Sequence, residues 1–167
     1  MKNHVVVVGS GWGADRFLKG LDYSQYKVTV ISPTDYFLYT PKLLYSAFYN
    51  YNPALPLLDH DSIRYIKDSV VSIMFEDDEV YTESGDAIPY DYLVFAQGSS
   101  IQTFNIRGVT EHCICIKDLA SSEQLHEVLS AESGKNVAVI GCGLAGTDLI
   151  GMLIDQQKHH AIAIDAM

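Results

Sequence analysis

The chain has 167 residues, enough for one complete domain and part of another. Hydrophobic residues make up 48% and charged residues 19%, with 11 Tyr and 6 Phe, a balance that excludes a disordered polymer. The net charge of −10 excludes a nucleic-acid surface, which needs clustered Lys and Arg to neutralise phosphates.

Val5 to Val8 reads as a buried parallel strand, because β-branched residues run on without polar alternation. GSGWGA follows at Gly9 to Ala14, and Ala14, Phe17, Leu18 and Leu21 then repeat at the spacing of a helix packed on a sheet. Val28 to Ile31 closes a βαβ unit. Gly9 and Gly11 permit a tight turn and close approach of backbone to a pyrophosphate, which the free N–H groups and positive dipole end of the helix would attract. Ala14 fills the third position of this fingerprint, with Gly13 beside it. A plain packing turn is the competing reading, but strand, turn and helix together favour a dinucleotide site. The acid expected at the end of the second strand, where it would bind a ribose hydroxyl, is replaced by Ser32, which still hydrogen-bonds.

Pro33 ends that strand, and Asp35 to Tyr51 reads as a loop plus a short helix with Tyr45, Phe48 and Tyr49 at helical spacing. This Tyr-rich stretch suits either a flavin or quinone wall or a packing layer over a sheet edge. From Ile63 the pattern becomes short strands: Ile63 to Ile66, Ser69 to Phe75, Val80 to Thr82 and, after a turn at Ser84 to Pro89, Tyr92 to Phe95. They predict a small antiparallel insertion. Glu76, Asp77, Asp78 and Glu79 read as its solvated hairpin tip rather than a closed metal-ligand set. A turn at Asn105 to Gly108 and a helix at Leu119 to Leu129 lead to a linker at Ser130 to Lys135.

The second unit repeats the first. Val137 to Ile140 is its strand, GCGLAG at Gly141 to Gly146 its turn, and Ala161 to Ile164 its second strand. Asp165 stands 19 residues beyond Gly146 and reads as the acid for the unmodified ribose of NADH, since the 2′-phosphate of NADPH prefers Arg. A solvated strand-end Asp is the competing reading. His159 and His160 read as a solvated helix end. Cys142, at a helix N-terminus, suits either a stabilised thiolate or a small residue filling a turn. Cys113, Cys115 and Cys142 are odd in number and form no CxxC, so neither a disulfide framework nor a redox pair is expected. On a strand His112 would face away from Cys113 and Cys115, which argues against zinc.

No stretch approaches the ~20 apolar residues of a membrane span, and MKNHVVVV is too short an apolar run for a secretion signal, so a cytoplasmic or otherwise soluble chain is expected. The expected fold class is α/β: a Rossmann-type FAD-binding domain at 1–130 with the antiparallel insertion, then a partial NAD-binding βαβ unit at 131–167.

The segments SGWGADRFLKGLDYSQYKVTVISPTDYFLYTPKLLYSA, YDYLVFAQGS, NIRGV and GCGLAG resemble the type II (alternative) NADH:quinone dehydrogenases of the pyridine-nucleotide flavoprotein superfamily. The resemblance covers nearly the whole chain. It implies FAD in the first site and NADH in the second, with a hydride passing from nicotinamide to flavin and electrons onward to a quinone-like acceptor. By matching, Gly9, Gly11, Trp12 and Gly13 would hold the FAD pyrophosphate, with Ser32 and Pro33 by the adenosine ribose; the family also has serine at the Ser32 position. Thr40 and Pro41 would approach the isoalloxazine, the backbone around Ser69 and Val70 the adenine, and Ala96, Gly98 and Ser99 the flavin again. Gly141, Gly143, Gly146 and Asp165 would serve NADH.

Such a reaction rests on stacking and positioning, so the lack of a catalytic triad is no objection. The disulfide-reductase branch keeps redox thiols between the first strand and the Tyr51 region, where this chain has none. Thr34 stands where the family usually has Arg, and Asp148 where it has Glu. The resemblance further implies a chain more than twice as long, with a peripheral membrane-docking region in its later part. A truncated, inactive binding component therefore stands as the alternative, acting alone, as a homo-oligomer or beside a partner chain. So does a module holding only one of the two nucleotides.

Overall fold

Four consecutive valines, Val5 to Val8, are each no more than 5% exposed, and the fold is built outward from them. The computed structural model describes residues 2–49, 51–131, 136–156 and 160–164, the last of these by backbone alone. In chain order the elements are β1 (Asn3–Val8), α1 (Trp12–Lys19), β2 (Tyr26–Ser32), β3 (Phe37–Leu38), α2 (Leu43–Tyr49), β4 (Ala54–Leu55), β5 (Ile63–Lys67) and β6 (Val70–Met74). They continue with β7 (Glu79–Thr82), β8 (Ala87–Pro89), β9 (Tyr92–Phe95), α3 (Val109–His112), α4 (Leu119–Ala131), β10 (Asn136–Ile140), α5 (Leu144–Gln156) and β11 (His160–Ile164). A 3-10 turn, Thr40–Lys42, precedes α2. The chain divides into two compact units, residues 1–38 with 54–100 and residues 39–53 with 101–167.

In the first unit β5, β2, β1 and β9 lie side by side in that order, and each neighbouring pair is parallel. Alternation along β1 sends Val5 and Val7 to one face, against Ala14 and Leu18 of α1. Val6 goes to the other face, with Ile31, Val80 and Ile88. Covering both faces explains the unbroken apolar run of β1. The second face is capped by an antiparallel sheet in the order β6, β7, β8.

Two expectations change here. Ile63 to Ile66 and Tyr92 to Phe95 look like the antiparallel strands in length, yet they join the main parallel sheet beside β2 and β1. Ser84 to Pro89 is not all turn, because Ala87–Pro89 pairs with β7. Three residues are too few to show alternation, and Pro89 is tolerated because β8 is an edge strand. Glu76, Asp77 and Asp78 lie in the β6–β7 turn, where Asp78 has φ 53°, and Glu79 opens β7.

In the second unit α2 and α4 pack through Leu44, Ala47 and Leu125. Buried Ser122 donates to the Leu43 carbonyl at 2.8 Å, and His126 Nδ1 meets the Ala47 carbonyl at 2.7 Å. β10 and β11 form a parallel pair with α5 between them in sequence, which is the second βα unit. His160 opens β11 and so does not end a helix; His159 lies outside the described residues. Cys113 caps α3 and Cys115 lies beyond it outside any strand, so strand alternation does not govern them. Among the described residues no helix is long and apolar enough to cross a membrane.

Candidate functional site

In the first unit the chain runs outward from β1 through β2 to β5 and then returns to β9 on the other side of β1. The carboxyl end of β1 is therefore a topological switch point, where open α/β sheets bind ligands. Gly9 stands there with φ +106°, and its amide donates to the Ile31 carbonyl at 2.8 Å. The Ala96 amide donates to the Val8 carbonyl at 2.8 Å, pinning the strand end from the other side. A Cβ on Gly9 would lie 2.3 Å from the Ala96 carbonyl oxygen, so only glycine fits.

Gly11 serves a different purpose. It is the N-cap of α1, with no side-chain cap among the described residues, and its carbonyl accepts from the Asp15 amide at 2.9 Å. Beyond its chain neighbours, no described heavy atom lies within 4 Å of the Cβ it lacks. The first-turn amides of a helix have no intrahelical acceptor and carry the positive dipole end. An open space beside such a terminus fits a pyrophosphate, by contact and by charge. Gly13 sits closer to the sheet, its missing Cβ 3.6 Å from the Ala96 Cβ. Trp12 is 42% exposed, edge-on to Phe37 with ring centres 5.1 Å apart.

At the end of β2 Ser32 is buried in a cluster of hydroxyls. Ser10 Oγ lies 2.9 Å from Ser32 Oγ and 3.1 Å from Thr34 Oγ1, and it donates to the Tyr36 carbonyl at 3.3 Å. Sequence reasoning finds Ser32, meets Thr34 only as a departure from the family pattern, and misses Ser10. Only the register of β1 against β2 brings Ser10 to the other two, since it sets Val8 beside Ile31. Pro33 beside them is exposed.

Ser69 and Val70 open the antiparallel sheet. The Ser69 amide donates to Asp68 Oδ1 at 2.7 Å and its carbonyl accepts from the Glu83 amide at 2.8 Å. Asp68 also accepts from the Ser84 amide, and hydrogen bonds led by that of Thr82 hold its carboxyl below the usual range. Ala96, Gly98 and Ser99 follow β9, with Gly98 at φ +79°. Thr40 and Pro41 belong to the second unit, in the 3-10 turn closed by the Lys42 amide on the Tyr39 carbonyl.

The second glycine turn repeats the construction of the first. Gly141 has φ +96°, and the Gly143 carbonyl accepts from the Thr147 amide at 2.9 Å. Beyond their chain neighbours, no described heavy atom lies within 4 Å of a Cβ on either glycine. A Cβ on Gly146 would stand 2.0 Å from the Gly141 carbonyl oxygen, so helix and strand end pack closer here than a side chain allows. In the first turn Ala14 takes that position and is fully buried. Exposed Cys142 lies in the turn. Asp165, expected to complete this site, lies outside the described residues.

Two strand–glycine turn–helix units, each with open space around its turn, define a dinucleotide-binding α/β protein. Residues 3–167 match the family model described as pyridine nucleotide-disulphide oxidoreductase, and the chain belongs to that family. Its similarity to alternative NADH dehydrogenases bears out the resemblance read from the sequence. It is 33% identical over 155 residues to the mitochondrial external alternative NADH-ubiquinone oxidoreductase of Yarrowia lipolytica, covering 77% of this chain and 25% of that protein. It is likewise 33% identical over 146 residues to the mitochondrial external alternative NAD(P)H-ubiquinone oxidoreductase B1 of Solanum tuberosum, with the same two coverages, 77% and 25%. NDH2 of Plasmodium falciparum, solved in complex with NADH, shares the fold at a TM-score of 0.80 and 24% identity, over 93% of this chain and 37% of that one. The chain thus spans about a quarter of the length of these curated relatives.

Proposed function

We propose that this chain supplies the FAD-binding half and the opening of the NADH-binding unit of a flavin-dependent NADH oxidoreductase. When bound, FAD supplies the chemistry, taking a hydride from NADH and releasing electrons singly or in pairs. The observation that carries the reading is the pair of turns headed by Gly9 and Gly141, both at positive φ and both opening a helix.

In the first unit Gly9, Gly11, Trp12 and Gly13 hold the pyrophosphate of FAD. Ser32 and Pro33 meet the adenosine ribose, the backbone at Ser69 and Val70 the adenine, and Ala96, Gly98 and Ser99 the flavin. Thr40 and Pro41 are assigned to the isoalloxazine on the resemblance alone. In the second unit Gly141, Gly143 and Gly146 receive the pyrophosphate of NADH, and Asp165 its ribose. No protein acid or base is needed, so the work of these residues is to bind, orient and exclude water. The onward acceptor is a quinone, the class named for the two mitochondrial relatives. The first cysteine of the sequence is Cys113, so thiol–disulfide exchange is no part of the mechanism proposed.

Visible absorption of the purified chain, before and after NADH under anaerobic conditions, tests this. A yellow chain that NADH bleaches is the expected result. A chain that takes up no FAD overturns the reading. Flavin that NADH leaves oxidised favours the second reading, a nucleotide-binding component whose chemistry requires the longer architecture of the relatives.

A further inference from the structure

Resting on the FAD reading, we propose that Ser10 is a positioning residue for that dinucleotide: its hydroxyl locks the glycine turn facing the pyrophosphate to the strand end facing the adenosine ribose. Ser10 lies between Gly9 and Gly11 and is 9% exposed, too enclosed to serve as an ordinary surface serine. Its side chain spans from the turn after β1 to three residues after or at the end of β2: Ser32 at 2.9 Å, Thr34 at 3.1 Å and the Tyr36 carbonyl at 3.3 Å. The backbone bond from Gly9 to Ile31 ties the same two segments one residue earlier.

Counting protons gives the cluster a polarity. A carbonyl only accepts, so the single Ser10 proton goes to Tyr36. The two lone pairs of Ser10 then receive the hydroxyls of Ser32 and Thr34, whose oxygens also lie 3.3 Å from each other, so each of the three hydroxyl protons has an acceptor inside the protein. The Thr34 amide takes one lone pair of Ser32 at 3.3 Å. What remains is acceptor capacity, one lone pair on Ser32 and those of Thr34. The cluster accepts from a ribose hydroxyl and has no hydroxyl proton to offer a 2′-phosphate. Neutral hydroxyls thereby do the work of the missing strand-end acid, but only while Ser10 holds them in this order.

The test is titration of the full chain with FAD, with ADP and with 2′-phosphorylated ADP, together with melting of the ligand-free protein. Ser10→Ala is expected to weaken FAD and ADP about tenfold each. The Ser32 and Thr34 hydroxyls can then bond only each other, which uses one proton and frees the second to donate outward, so the preference for ADP over its 2′-phosphorylated analogue falls several-fold. A merely structural serine would weaken both analogues by one factor, leaving that preference unchanged, and such a result overturns the proposal. Ser122→Ala, at a still more deeply buried serine of the other unit, is expected to lower the melting temperature while leaving FAD affinity unchanged; an equal loss of FAD there also overturns it. Thr34→Val, isosteric and half-buried, keeps the question open to decision if Ser10→Ala fails to fold: it is expected to cost ADP about fivefold in affinity and its 2′-phosphorylated analogue far less. No change in either sinks the idea. A wild-type chain that binds neither FAD nor ADP overturns the flavoprotein reading itself, whereas one that binds both with no effect of these substitutions overturns this inference alone.

Discussion

The carbonyl oxygen of Ala96 occupies the space into which a side chain on Gly9 would project: a Cβ there would stand 2.3 Å away from it. The neighbour is backbone, belonging to the segment that leaves β9, so it yields only if the parallel sheet yields. Gly9→Ala combines this collision with the cost of φ +106°, which for an L-residue is about 1–2 kcal/mol. With an overpacking term of similar size, a loss of about 3 kcal/mol is expected. Urea unfolding of the variant measures it, and a loss below about 1 kcal/mol would contradict the contact.

Gly11→Ala should behave in the opposite way. The backbone there is extended at φ −83°, and beyond chain neighbours no described atom approaches the new Cβ within 4 Å. Stability is expected to change by about 0.5 kcal/mol or less. The methyl group instead enters the space assigned to the pyrophosphate, and FAD affinity is expected to fall at least about tenfold. Flavin fluorescence titration beside urea unfolding separates the two effects; unchanged FAD binding would remove Gly11 from the site.

These two glycines also mark what was legible in the sequence. Both are visible as letters of a fingerprint, since β-branched runs, glycine spacing and helical periodicity are all local signals. Which glycine serves packing and which leaves room for a ligand is not local, because it depends on Ala96, far along the chain. The same holds for Ser10, brought to Ser32 and Thr34 by the register of β1 against β2. β5 and β9 were readable as strands, but their membership of the parallel sheet depends on which neighbours they find. The ribbon of β3 with β4 has two residues on each side, too short for any period to appear.

Gly146→Ala is expected to loosen the second unit while leaving the first intact. Its Cβ would lie 2.0 Å from the Gly141 carbonyl oxygen, so the first turn of α5 must draw back from the end of β10. Amide hydrogen exchange reads this by segment, and faster exchange in β10 and α5 with unchanged protection in β1 and β2 is the expected pattern. Gly143→Ala, with no described atom near its Cβ beyond chain neighbours, is expected to leave exchange as it is. Equal exchange in the two variants would show that the close approach at Gly146 carries no cost.

His4 gives the fold a pH dependence near neutrality. Its imidazole is half-buried at the start of β1, with Nε2 2.8 Å from Thr29 Oγ1. Burial pushes its pKa below the ordinary 6.5, Lys27 adds to this and Arg64 adds less, while the Pro89 carbonyl and Asp91 oppose it. The folded state therefore binds the proton less readily than the unfolded chain does. Stability from this group is fully present above pH 6.5 and is lost as the pH falls from there through the lower folded-state value. Hydrogen-bonded carboxylates act in another window: Asp35 and Asp68 are lowered from 3.8, so their contribution is present above that value and lost as pH falls through their folded-state pKa values. Urea midpoints measured from about pH 7 down to about pH 5 should fall in the wild type. His4→Gln, which keeps a group able to bond Thr29 but cannot take up a proton, should flatten that part of the curve. An unchanged slope in the variant would show that another group titrates there.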